Sequence, residues 1–108
     1  MKKYNKLVRD NIITLIRKNG QTPEYYIAGP REYEERLFEK MKEELQEFID
    51  NPCMEEAADM YEVWLAILDR WDMVPIDVIS CANKKRKEKG RFADGCVLTG
   101  VESGKEKS

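Results

Sequence analysis

Apolar residues recur at helical spacing in four stretches of this chain. Leu7, Ile12, Leu15 and Ile16 mark a first helix from Leu7 to Lys18, with Asn19-Gly20 as its C-terminal stop. Gln21 to Pro30 is a connector punctuated by Pro23, Gly29 and Pro30. Tyr33, Leu37, Met41, Leu45 and Phe48 form the apolar stripe of a second helix, Glu32 to Ile49. Asn51-Pro52 predicts the next helix start, Asn as N-cap and Pro at the first helical position, and that third helix runs to about Trp71. After a short loop, a fourth helix spans Ile76 to about Lys89 and is ended by Gly90. Cys96 to Val101 reads as a short strand or an extended strap, and Glu102 to Ser108 as a polar tail. The expected fold is all-α: a bundle of about four helices in one domain, residues 1–101, with a C-terminal strap and a tail over 102–108.

The third helix is unusual in having two apolar faces. Met54, Ala57, Ala58, Tyr61, Trp64, Leu65 and Leu68 make one; Met60, Val63, Ala66 and Ile67 make the other. Such a helix is central in a bundle or shared with another subunit, so a homodimer or homotetramer is expected.

Charged residues interrupt these apolar faces at informative places. At ~100° per residue, Glu44 falls inside the stripe of the second helix and Glu47 just beside it, while Glu43 points further toward solvent. Glu56 and Asp59 lie in line with Val63 on the third helix. Each pair, Glu44-x-x-Glu47 and Glu56-x-x-Asp59, has i, i+3 spacing and projects from one side of its helix. A carboxylate on a packed face is costly unless something compensates it. Two facing helices would gather four acidic groups, which suits a hard, oxygen-seeking cation such as Mg²⁺, with Mn²⁺ as the alternative. The competing reading is that Glu-rich helices simply present solvated faces.

Composition narrows the chemistry. The 108 residues contain no histidine, which removes the usual imidazole base and the Ser-His and Cys-His triads. Cys53, Cys81 and Cys96 are odd in number and form no Cys-x-x-Cys pair, against both a disulfide framework and a zinc ribbon. Lys and Arg number 19 against 21 Asp and Glu, so net charge does not mark a nucleic-acid binder. No apolar run reaches the roughly 20 residues of a membrane span and no signal region follows the N-terminus, so the cytoplasm is the expected location. The basic run from Lys84 to Arg91 has three readings. It is a phosphate-binding helix end with Asn83 and Lys87 reaching the acidic site, a solvated end favoured by the helix dipole, or a nucleic-acid patch. Lys6, Arg9 and Asp10 read, by composition alone, as a charged helix start.

Glu43-Glu44-x-x-Glu47 followed by Glu56-x-x-Asp59 resembles the metal-binding signature of the MazG-like, all-α nucleoside triphosphate pyrophosphohydrolases. The opening Tyr4-Asn5-Lys6-Leu7-Val8-Arg9-Asp10-x-Ile12 is similar to a small phosphoribosyl-ATP pyrophosphohydrolase-like branch, and Asn83-x-Lys85 leading to Arg91-Phe92 resembles the segment that closes such domains. The resemblance covers about residues 4 to 101. It implies Mg²⁺ ligation by Glu44, Glu47, Glu56 and Asp59. It implies phosphate contacts from Asn83 and Lys87, with Lys84 or Lys85 as rivals and Lys6 and Arg9 as further candidates. The implied activity is hydrolysis of a nucleotide to monophosphate and pyrophosphate, as in nucleotide house-cleaning, with Glu47 orienting or deprotonating the water. One departure is visible: only eight residues, Phe48 to Glu55, separate Glu47 from Glu56, fewer than in many relatives. The alternative is a non-catalytic helical nucleotide-binding or protein-interaction module.

Overall fold

The computed structural model describes residues 3–104. It contains four helices: α1 Ile12–Lys18, α2 Pro30–Asp50, α3 Met54–Arg70 and α4 Pro75–Lys89. No strand occurs among the described residues, so the chain is all-α. It divides into two compact units, one running to Pro75 and the other starting at Ile76.

The first unit is built on the packing of α2 against α3. Gly29 in extended conformation and Pro30 at the first position start α2, because proline's missing N–H costs nothing there. Over its 21 residues α2 extends about 31 Å. Leu37 of α2 meets Val63 and Ile67 of α3 in the core, with Leu7, Tyr33, Met41 and Ala66 packed around them. The two helices run antiparallel, since Leu37, early in α2, meets Ile67, late in α3. Only residues 51–53 connect them.

Several element boundaries differ from the sequence expectation, each for a local reason. The first helix begins at Ile12 rather than Leu7. Residues 3–10 instead form a strap in which Leu7 packs on the α2–α3 core and Asn5 accepts two hydrogen bonds from Arg36, one at its backbone oxygen (3.0 Å) and one at Oδ1 (2.9 Å). Tertiary partners thus replace a turn of helix. Asn51 ends α2 rather than capping α3: its N–H bonds to the Glu47 carbonyl, and Cys53, in extended conformation, is the N-cap of α3. With so short a connection, the residue that would open α3 is still needed to close α2. Leu45, expected on the buried stripe, is 44 % exposed. The buried line runs Leu37, Met41, Glu44, Phe48 instead.

Both expected C-terminal stops at glycine are present, Gly20 (φ 76°) after α1 and Gly90 (φ 82°) after α4. Among the described residues the segment after Gly90 forms no strand and finds no strand partner, and Val97, Leu98 and Val101 are exposed. Of the expected tail, residues 102–104 are exposed and without regular structure, and residues 105–108 lie outside the described residues. Cys53, Cys81 and Cys96 are free thiols.

Leu37 is 2 % exposed and shares the core with Val63 and Ile67. Leu37→Ala should therefore destabilise the fold by about 2–5 kcal/mol, read as a lower urea midpoint by circular dichroism.

Candidate metal centre

The seam between α2 and α3 carries a cluster of carboxylates. Helical phase alone sets Glu44 on the packed side of α2, one and two turns beyond Met41 and Leu37, and leaves it 5 % exposed. Across the seam, Glu56 and Asp59 precede Val63 on the packed side of α3 and are half-buried. Oxygens of Glu44, Glu56 and Asp59 all lie within 4.8 Å of one another. A second set at the same spacing, Glu43, Glu44 and Glu47, shares Glu44. Glu47 is exposed and forms the outer rim.

Glu43 departs from expectation. It is half-buried rather than solvent-facing because two lysines draw it in, Lys40 at 3.1 Å and Lys6 at 3.5 Å. Lys40 also lies 3.5 Å from Glu44. Arg9 Nη2 donates to Asp59 Oδ1 at 2.8 Å. Lys6 and Arg9, expected as candidate phosphate contacts, pair here with Glu43 and Asp59 of the acidic cluster. Sequence reasoning missed Lys40, although its i, i+3 and i, i+4 spacing to Glu43 and Glu44 was a usable signal.

The protonation equilibria follow from this geometry. Burial pushes the Glu44 carboxyl above its ordinary value; Lys40 opposes the shift, and Glu47 and Asp59 add to it. Glu56 is raised too, by burial and then by Glu47, Asp59 and Glu55. At Glu43 burial acts upward but is outweighed by the hydrogen bond and charge of Lys40, with help from Lys6, and the carboxyl sits below its ordinary value.

These residues fit a hard divalent cation. The donor set is all carboxylate oxygen, with no nitrogen or sulfur, which matches Mg²⁺, Mn²⁺ or Ca²⁺ chemistry. Glu56 Oε2 is buried and has no hydrogen-bond partner. Five carboxylates meet the three cations Lys6, Arg9 and Lys40, a shortfall equal to the charge of one divalent ion.

The remaining predicted residues belong to the second unit. Asn83, Lys84 and Lys87 line an open groove of about 500 Å³ on α4 together with Asp77, Ser80 and Cys81. Lys85 is not part of that lining. The groove presents two lysines, an amide and a hydroxyl, a donor set suited to phosphate oxygens.

Comparison with protein-family models, with curated proteins and with solved structures finds no match for this chain.

The raised Glu44 equilibrium sets a pH dependence. Its folded value lies above the ordinary 4.5, so the folded state favours the protonated form relative to the unfolded chain. Metal-free protein therefore loses stability as pH rises through the raised value, and this handicap is absent below about 4.5. Glu44→Gln should melt higher than the parent at neutral pH in chelator, and the gap should close as pH falls toward 4.5. Thermal melts by circular dichroism across that range check it.

Proposed function

We propose that the α2–α3 carboxylates bind Mg²⁺, or Mn²⁺ in its place, and that this domain hydrolyses a nucleoside triphosphate or related nucleotide to monophosphate and pyrophosphate. One observation carries the reading: Glu44, Glu56 and Asp59, from two helices, hold oxygens within 4.8 Å of one another at a partly buried seam. The sequence resemblance to MazG-like pyrophosphohydrolases supports the same chemistry and makes house-cleaning of nucleotides the expected role.

A bound divalent ion would supply charge neutralisation at the phosphate chain and a more acidic water. The other roles fall to side chains of this chain. Glu44, Glu56 and Asp59 hold the ion from the seam. Glu47, exposed at the rim beside Glu44, orients the attacking water or takes its proton, a task no histidine is present to do. In the second unit, Asn83, Lys84 and Lys87 line the α4 groove, with Lys85 next to them in sequence, and offer donors suited to phosphate oxygens. Lys6 and Arg9 add positive charge at the acidic cluster.

Self-association belongs to this proposal. The α3 face bearing Met54 (81 % exposed), Tyr61 (58 %) and Trp64 (44 %) is uncovered within its own unit, and with Ile49 of α2 it offers an apolar surface for a homodimer or homotetramer. No helix among the described residues is long and apolar enough to cross a membrane; a cytoplasmic location is the matching expectation.

A second reading is a non-catalytic nucleotide-binding or protein-interaction module. It is favoured by the ion pairs of Lys6, Arg9 and Lys40, which already meet Glu43, Glu44 and Asp59 within the chain. Pyrophosphate release from a nucleotide panel, with and without Mg²⁺, separates the two. Glu56→Gln and Asp59→Asn should each lower Mg²⁺-dependent release by about 100-fold or more while the helical spectrum is kept. Nucleotide binding without any metal-dependent product would establish the module instead. Sedimentation of the full chain should give two or four times 12.7 kDa, and a species of 12.7 kDa would refute self-association.

A further inference from the structure

The strap over residues 3–10 has a feature that nucleotide hydrolysis alone does not require. It is anchored at two points upstream of Arg9. Arg36 holds Asn5 through two hydrogen bonds and is itself fixed by Glu32 at 3.1 Å and Glu39 at 3.4 Å. Leu7 packs on the core formed by Leu37, Val63 and Ile67. Beyond these anchors, Arg9 reaches across to α3 and places its guanidinium on Asp59 Oδ1.

Asp59 belongs to the carboxylate set with Glu44 and Glu56, so Arg9 is paired with a member of the cation site itself. The pair is half-exposed, at 55 % for Arg9 and 42 % for Asp59. Exposed pairs of this kind are weak and readily exchanged, whereas the two anchors upstream do not involve the acidic cluster. The strap can therefore let go of Asp59 without leaving the helices. Lys6 offers an internal contrast. It sits on the same strap and carries the same charge, but its partner is Glu43, which belongs to the second set with Glu44 and Glu47 and not to the set that contains Asp59.

We infer that Arg9 is a built-in counter-ion that competes with the divalent cation for Asp59, so that in the free protein the N-terminal strap holds this carboxylate until the ion displaces the guanidinium. This rests on the acidic cluster being a cation site, as proposed above. In the ion-free state Arg9 lowers the repulsion among the three carboxylates. Exchange transfers Asp59 to the ion and frees the guanidinium for an anionic ligand. The strap thereby makes cation binding a precondition for a free positive charge at the site.

The test is the affinity of the full chain for Mn²⁺ alone, followed by the loss of the free-ion electron paramagnetic resonance signal. Arg9→Ala should bind Mn²⁺ about fivefold more tightly than the parent, since a competing exposed ion pair is removed. Arg9→Lys, which restores a competing cation, should return toward the parent value. Lys6→Ala removes the same charge without freeing Asp59, and should change the affinity less than Arg9→Ala does. Equal or weaker binding by Arg9→Ala would overturn the competition. Equal tightening by Lys6→Ala and Arg9→Ala would also overturn it, because general charge rather than occupation of Asp59 would then be responsible. Failure of the parent and all variants to bind Mn²⁺ would overturn the cation site itself, an outcome distinct from the other two.

Discussion

The first unit depends on one costly placement, a carboxylate buried in the seam between its two main helices. Glu44 occupies a position on α2 where the apolar period calls for a hydrophobic side chain. Removing a charge from water is unfavourable unless it is paired, neutralised or bound to an ion. Much of the surrounding structure acts on that cost. Lys40 approaches from one turn earlier on the same helix, Lys6 pairs with Glu43, and Arg9 reaches Asp59 from the strap. Core packing of Leu37 against Val63 and Ile67 sets the register that brings Glu44 opposite Glu56 and Asp59.

This compensation is incomplete. Glu44 and Glu56 remain shifted toward their protonated forms, chiefly by burial, and Glu56 Oε2 has no partner. Apolar residues at these positions would have produced a more favourable helix pair. A seam that accepts repulsion among carboxylates from two elements is organised around something other than stability alone. A divalent cation addresses the repulsion, the unpaired oxygen and the missing positive charge together. The same logic gives the strap its place: it supplies part of the neutralisation by a contact weak enough to be exchanged.

Much of this was legible from periodicity. The four helices, the glycine stops at Gly20 and Gly90, and the burial of Glu44 with the rim position of Glu47 all follow from a 3.6-residue period and turn chemistry. The second face of α3, through Val63 and Ile67, proved to be the one that packs on α2. Where the reading erred, a tertiary or neighbouring element had overridden a local preference. Leu7 has a helical pattern but is taken by the core. Asn51 is a good N-cap but lies too close to α2 to serve α3. Glu43 belongs by phase to the solvent side, yet Lys6, far away in sequence, pulls it toward the cluster. The extended C-terminal segment has a strand-like composition and no strand partner among the described residues.

The sequence by itself therefore determined the helices, which carboxylates face the seam, and the absence of imidazole chemistry, because these depend on residue identity and on a period internal to each helix. The tertiary structure alone decided that Glu44, Glu56 and Asp59 converge, that Arg9 pairs with Asp59, and that Lys40 and Lys6 divide their charge between neighbouring acids. Those facts depend on the register of α2 against α3 and on a strap held by Leu7 and Asn5. Register is set by how side chains from distant parts of the chain fill a shared core, and no one-dimensional period contains that information.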